Sequence, residues 1–98
     1  MAAKIKNDML KAQAEVEEST FVGKAANGDV VIEINGRKEV TKVTIAPSLV
    51  DPKDVSFLED LVMIAFNDVS KQVDVAMRAM MDEFLDVLKI PGLFSGEN

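Results

Sequence analysis

The sequence predicts an α+β domain in which one helix, three antiparallel strands and one long helix follow each other along the chain. Three observations predict this order. They are an apolar helical stripe near the N-terminus, two Asn-Gly pairs within a stretch rich in Val, Ile and Thr, and a long apolar-periodic segment that ends at a Pro-Gly pair. The chain of 98 residues is long enough for one modest core, so we expect residues 1–98 to form a single domain with a loose tail from about residue 91.

The first helix is predicted in residues 1–19, where strong helix formers dominate. Its apolar residues recur at intervals of four, three and four, which is typical of a narrow stripe that packs on another helix. The stripe consists of Ile5, Met9, Ala12 and Val16, and the bases Lys4, Lys6 and Lys11 flank it. Because a lone helix of this length is marginal in water, the stripe needs a packing partner.

Three antiparallel strands are predicted next, at about 19–25, 29–35 and 38–46. The pairs Asn27-Gly28 and Asn35-Gly36 separate them, because Asn-Gly supplies the positive φ angles of tight hairpin turns. Alternation places the middle strand's Val30, Ile32 and Ile34 on one face; in the third strand Val43 and Ile45 share a face opposite Val40, Lys42 and Thr44. Gly23 indicates a bulge or a close backbone approach. A helix should cover the apolar face of this sheet.

The long helix is predicted to start either after Asp51-Pro52 or at the capping pair Ser56 and Glu59, and to end at about Lys89. Its span from Pro52 would be about 57 Å at ~1.5 Å per residue, far longer than a strand of ~20 Å. Beyond Ala76 its apolar residues widen into a broad arc that needs a cover. This arc, which we call the Met/Phe arc, comprises Met77, Met80, Met81, Phe84, Leu85 and Leu88. It could pack on the first helix of its own chain or on a second copy.

The composition excludes most catalytic sites, because the chain has no Cys, His, Trp or Tyr. Carboxylate pairs such as Asp82-Glu83 have no neighbouring base or nucleophile, and the glycines do not form a phosphate loop. We therefore expect no enzyme, no cofactor, no metal and no small-molecule substrate. No apolar run approaches the ~20 residues that span a bilayer, so we expect no membrane partner, and the absence of cysteine fits a cytoplasmic protein.

The charge pattern restricts where an anion could bind. The net charge is −6, yet residues 1–14 and 36–46 each carry a net charge of +2. A surface that binds phosphate must draw on these two segments. In the second segment we interpret Arg37, Lys38 and Lys42 first as ordinary polar residues of an edge strand, because lysine at a strand edge discourages association between sheets. The second interpretation is an accessory anion contact.

Several short motifs occur in a characteristic order. A Val-rich strand follows Gly28 and ends at Asn35-Gly36; then come VTIAPSLV at 43–50, LEDL at 58–61 and AFND at 65–68, and IPGLF closes the chain. In order and spacing these motifs resemble the YbaB/EbfC family of bacterial nucleoid-associated proteins, most closely over residues 20–75.

The resemblance implies a tweezer-like cytoplasmic homodimer whose strands join into one layer and whose helices project as arms that contact duplex DNA. It implies roles in nucleoid organisation or gene regulation and no enzymatic activity. The expected phosphate-binding residues are Lys4, Lys6, Lys11, Lys71 and Arg78. The expected dimer contacts are Met77, Met80, Met81, Phe84 and Leu85.

Two departures from the family pattern leave a second interpretation open. This chain begins part-way into the first helix of many members, and its long helix is less basic than theirs after the AFND motif, where Lys71 and Arg78 stand among acidic residues. The alternative is a dimeric, non-enzymatic scaffold that binds another protein through the Met/Phe arc.

Overall fold

The computed structural model describes residues 2–88, with side chains for residues 3–86, and has the predicted α+β order. The elements are helix α1 (Ala2–Glu18), strands β1 (Thr20–Ala25), β2 (Val30–Asn35) and β3 (Val40–Ile45), and helix α2 (Val55–Leu88). A short 3-10 turn at Ala26–Gly28 connects β1 to β2, and another at Pro47–Leu49 lies between β3 and α2. The tail from residue 91, which we expect to be loose, lies outside the described residues.

Helix α2 begins at Val55, between the two predicted starts. Asp51 does not cap the helix, because it organises the turn before it. The Lys53 N–H donates to Asp51 Oδ1 at 2.9 Å, and the Asp54 N–H donates to the Asp51 carbonyl oxygen at 3.0 Å. With 34 described residues, α2 is about 51 Å long at ~1.5 Å per residue, and its predicted end at Lys89 lies outside the described part.

The three strands form one antiparallel sheet in the order β1-β2-β3. Val30, Ile32 and Ile34 share the buried face of β2, as predicted. A register shift between Glu33 and Ile34 changes the expected faces of β3, because it places Val40 opposite Ile34. Paired residues lie on one side of a sheet, so Val40 faces the helix side with Val43, and the predicted grouping of Val40 with Lys42 was wrong.

The two turns of the sheet have different backbone conformations. Asn27 and Gly28 have the predicted positive φ angles, +56° and +94°, and Ala26 before them has one as well, at +52°, which the sequence did not predict. In the second turn the positive φ of +63° is at Lys38 rather than at Gly36. There Asn35 Oδ1 accepts hydrogen bonds from the N–H groups of Arg37 and Glu39, at 2.9 and 3.0 Å, and these bonds shape the turn.

Gly23 and Gly36 are required by close packing. A Cβ atom at position 23 would overlap the carbonyl oxygen of Ala65 and lie 2.6 Å from Cβ of Val69, so Gly23 lets β1 approach α2. The close approach, not a bulge, is therefore the reason for this glycine. A Cβ atom at position 36 would lie 2.6 Å from Cα of Glu17, so Gly36 lets the β2–β3 turn contact the end of α1.

The core lies between α2 and the first two strands. α2 packs on β1 and β2, and the side chains of Val30, Ile34, Ala65 and Val69 are fully buried there. The same helix leaves β3 largely uncovered, since every residue of that strand except Ile45 is exposed. The predicted cover of the sheet is therefore present over two strands and missing over the third.

Helix α1 packs against α2 of its own chain. Its stripe residues Ile5, Met9 and Val16 are half-buried. On α2, Met80 is 7% exposed although it lies outside the cluster of buried residues over the sheet, so we attribute its burial to α1. The two helices form an arm that extends beyond the sheet, and the described chain measures 67 × 21 × 16 Å.

Candidate nucleic-acid interface

The five bases predicted to contact phosphate all lie on the two helices of the arm. Each of them is exposed, and no salt bridge involves any of them among the described residues. They are Lys4, Lys6 and Lys11 on α1, with Lys71 and Arg78 on α2. Exposed cations without a protein carboxylate partner are available for phosphate contacts.

Helix geometry brings together some of these bases and separates others. Lys4 and Lys11 are seven residues apart, two helical turns, and therefore lie on one flank of α1. Lys6 lies on the other flank of the half-buried stripe. On α2, Lys71 and Arg78 have the same spacing of two turns and share a line along the surface. The five bases thus form two pairs and one separate residue on each chain.

The bases of the β2–β3 turn have different surroundings. Lys38 Nζ lies 2.9 Å from Asp74 Oδ1 on α2, and Arg37 Nη2 lies 4.0 Å from Glu17 Oε1 on α1. The β2–β3 turn therefore forms an ion pair with each helix of the arm. These ion pairs favour the structural interpretation of Arg37 and Lys38 over the accessory anion contact.

Acidic residues make the electrostatic potential around the distal half of α2 more negative. Asp82, Glu83 and Asp86 are exposed, and Asp74 is paired with Lys38. The pairing neutralises the carboxylate that lies between Lys71 and Arg78 in the sequence. A phosphate at these two bases would therefore meet less repulsion than the sequence alone suggests.

The residues of the Met/Phe arc differ in burial. Met80 is 7% exposed, Met77 packs against the core cluster and Phe84 is half-buried, so these three already contact their own chain. Met81 and Leu85 are each 44% exposed. Of the arc residues whose side chains the structure describes, Met81 and Leu85 therefore remain accessible to a second molecule.

Polar residues of α2 cover the free edge of β1. Gln72 Nε2 donates to the Val22 carbonyl oxygen at 2.8 Å, and Asp68 Oδ2 accepts from the Lys24 N–H at 3.4 Å. Gln72 Nε2 also lies 3.2 Å from Asp68 Oδ2. Sequence reasoning missed this contact, because an acid and an amide four residues apart on a helix look like an ordinary solvated pair.

The outer edge of β3 has no such cover among the described residues. Val40 and Val43 on its helix side are 50% and 51% exposed. The Asn35 N–H donates to the Glu39 carbonyl oxygen, so Asn35 points its backbone groups toward β3, as do Glu33 and Val31 by alternation. Val43, opposite Ile32, therefore points its N–H and carbonyl groups outward, and a partner strand could pair with them.

Within residues 2–88, no group of three or more acidic, His or Cys side chains is placed to hold a metal ion. None of the described helices is long and apolar enough to cross a membrane. The described surface carries exposed bases on the arm, an open strand edge and exposed apolar side chains such as Met63, Val75 and Met81.

Comparisons with known proteins identify the family of this chain. A family model described as the YbaB/EbfC DNA-binding family matches residues 1–88. Nucleoid-associated proteins of Clostridium novyi and of an Exiguobacterium species are 39% and 44% identical to this chain, covering 95% and 87% of it and 82% and 81% of their own lengths. One from Chloroflexus aggregans is 37% identical, over 96% of this chain and 92% of its own.

The fold itself matches a solved structure. An uncharacterized protein of Helicobacter pylori superposes with a TM-score of 0.73 at 21% identity, covering 86% of this chain and 88% of that one. At this identity the match concerns the fold and not the function.

Proposed function

Because this chain belongs to the YbaB/EbfC DNA-binding family, we propose that it binds duplex DNA as a homodimer, mainly through phosphate contacts. Its proposed role is in nucleoid organisation or gene regulation, in the cytoplasm and without enzymatic activity. The observation that carries the proposal is the contrast between two sets of bases. Those of the arm are exposed and outside any described ion pair, whereas Arg37 and Lys38 are paired with carboxylates.

Phosphate contact is the role that suits the arm bases. Lysine is a flexible point charge, and lysines spaced two helical turns apart can follow a backbone without reading base edges. A dimer doubles the number of bases to ten, from Lys4, Lys6, Lys11, Lys71 and Arg78 of each chain. With about 6–10 phosphate contacts, affinity should fall by about 10³–10⁵ between ~50 and ~200 mM salt.

The open edge of β3 supports the proposed dimer. Two copies could pair their β3 strands antiparallel about a two-fold axis, which would join two sheets into one. If the axis passes through Val43, the outward backbone groups of the two valines exchange hydrogen bonds and Lys42 faces Thr44 of the other copy. An axis through Lys42 would instead oppose two lysines, which is unfavourable. We therefore propose pairing centred on Val43.

Apolar side chains support the same arrangement. Val40 and Val43 lie on the helix side of β3 and are half-exposed, and a two-fold axis at Val43 would bring the two copies of Val43 together. The dimer contacts expected in the Met/Phe arc are retained in this proposal for Met81 and Leu85. In it Met77, Met80 and Phe84 support them from within the arm.

The test is a fluorescence-anisotropy titration of labelled duplex DNA at ~50 and ~200 mM salt with three charge-matched variants. One carries Lys4→Glu and Lys11→Glu, the second Lys71→Glu and Arg78→Glu, and the control Lys24→Glu and Lys53→Glu. Each variant changes the net charge by the same amount, so a general loss of attraction would affect all three equally. Circular dichroism checks that each variant is folded.

The proposal expects the two arm variants to lose affinity and the control to bind nearly as the wild type does. Four contacts are lost per dimer in each arm variant, so the slope of log affinity against log salt should fall by about 3.6. Equal losses in all three variants would show that net charge alone matters. Failure of the folded wild type to bind at ~50 mM salt would contradict DNA binding.

The acidic distal half of α2 favours one alternative, a protein-binding scaffold that uses exposed Met81 and Leu85. The same titration separates the two functions. A scaffold would not bind DNA at low salt, and Met81→Ser with Leu85→Ser would then remove a protein contact without altering the fold.

A further inference from the structure

The two free edges of the sheet are treated differently by the rest of the molecule. The edge of β1 is covered by its own helix, and the edge of β3 is open. We infer that Asp68 and Gln72 block strand pairing at β1, so that assembly through β3 stops at the dimer instead of continuing into longer chains of subunits. This inference rests on the homodimer proposed above and adds a limit to its assembly.

The covered backbone groups are those that another strand would need. In an antiparallel pair, alternate residues point their N–H and carbonyl groups toward the same neighbour. Because the Lys24 N–H and the Val22 carbonyl oxygen point at side chains of α2, both face away from β2. They are the free-edge groups of β1, and the side chains of Asp68 and Gln72 occupy the positions where a strand of another copy would hydrogen-bond.

The amide of Gln72 is the stronger part of this cover. Its bond to the Val22 carbonyl oxygen is 2.8 Å, whereas the contact between Asp68 and the Lys24 N–H is longer, at 3.4 Å. Gln72 also contacts Asp68 at 3.2 Å, so one side chain positions the other. Gly23 allows the arrangement, since any larger residue there would push α2 away from β1.

Open strand edges recruit further copies, and proteins commonly cover or charge them. A subunit with two open edges can use one two-fold contact at β3 and a second at β1. Two different two-fold contacts on one subunit generate an open-ended assembly, whereas one alone closes at two subunits. The cover at β1 therefore decides between a dimer and a filament.

The test uses the full chain without DNA and measures mass by sedimentation over a range of protein concentrations. The test variant carries Asp68→Ala and Gln72→Ala. The control carries Asp60→Ala and Asn67→Ala, which also remove one carboxylate and one amide from exposed positions of α2. A third variant adds Val22→Lys to the test pair, so that two lysines would face each other if β1 strands paired about that residue.

We expect the wild type and the control to reach a constant mass at the dimer. The test variant should exceed that mass several-fold as concentration rises, and Val22→Lys should return it to the dimer. Circular dichroism and a urea melt establish that the test variant is folded before assembly is compared. Hydrogen exchange at Lys24 gives a second measure, since uncovering β1 in dilute protein should speed exchange of that amide.

Three results would overturn the inference. They are a folded test variant that stays dimeric, an assembly that Val22→Lys does not reverse, and a wild type that itself grows beyond the dimer. A monomeric wild type would instead contradict the dimer of the proposed function. Because DNA is absent, loss of DNA binding cannot produce any of these results.

Discussion

The sheet body and the helical arm of this protein are stabilised in different ways. In the body, residues of two strands and of the first half of α2 bury one another, and Val30, Ile34, Ala65 and Val69 are fully buried. In the arm two helices pack together, and among the described side chains of its α2 part Met80 is buried to a comparable degree. The body is thus determined by many mutual contacts, whereas the arm depends on the contact between its two helices and leaves much of its remaining described surface exposed.

The largest effect is expected in the body. Ile34→Ala should lower the free energy of unfolding by about 3–5 kcal/mol, because the removed side chain is fully buried and its neighbours cannot fill the cavity. A urea melt followed by circular dichroism measures this loss. A cost below about 1 kcal/mol would show that the body repacks freely, and it would remove the contrast with the arm.

A smaller loss of stability is expected at the contact between the two helices of the arm. Met80→Ala should lower the free energy of unfolding by about 2 kcal/mol, since this side chain is buried and we attribute its burial to α1. The matched control is Met81→Ala, one residue further on and 44% exposed, which should cost less than about 1 kcal/mol in dilute protein. Equal costs in a monomeric sample would contradict the packing of α1 over Met80.

Single bases of the arm should affect binding without affecting stability. Lys71→Ala should reduce the slope of log affinity against log salt by about 1.8 for a dimer, two contacts at about 0.9 each. Its urea midpoint should match that of the wild type because the side chain is exposed. An unchanged slope would remove Lys71 from the proposed interface, and a shifted midpoint would give it a structural role instead.

The smallest effect is expected at the turn between body and arm. Lys38→Ala removes the ion pair with Asp74, and because alanine is strained as lysine is at a φ of +63°, the change isolates the charge contact. Exposed pairs contribute about 0–1 kcal/mol, so stability should fall within that range. The salt dependence of DNA binding should stay the same, and a lower slope would mean that Lys38 contacts phosphate after all.

Much of the body could be predicted from local patterns. Alternation identified the buried face of β2, and Asn27-Gly28 identified its first turn with the correct φ angles. The bulge near Glu33 and the packing of Gly36 could not be predicted in this way. Both result from contacts between segments distant in sequence, and no local residue pattern encodes them.

The candidate site shows the same division. Charge by segment pointed to Lys4, Lys6 and Lys11, whereas Lys71 and Arg78 lie in an acidic segment and were expected from the family resemblance. The pairing of Lys38 with Asp74, 36 positions further along, and the cover of β1 by Gln72 carry no local signal. An acid or an amide on a helix surface looks alike in sequence whether it faces water or a strand edge.

The sequence by itself determined the order of the elements, the faces of the middle strand and the lack of the residue types that most catalytic sites require. These depend on the repeat of the helix and the strand and on composition, which are properties of short segments. Only the tertiary structure decided that α1 packs on its own chain, that β1 is covered and that β3 is open. These outcomes depend on where a 34-residue helix settles on a three-stranded sheet, which is too wide for one helix to cover.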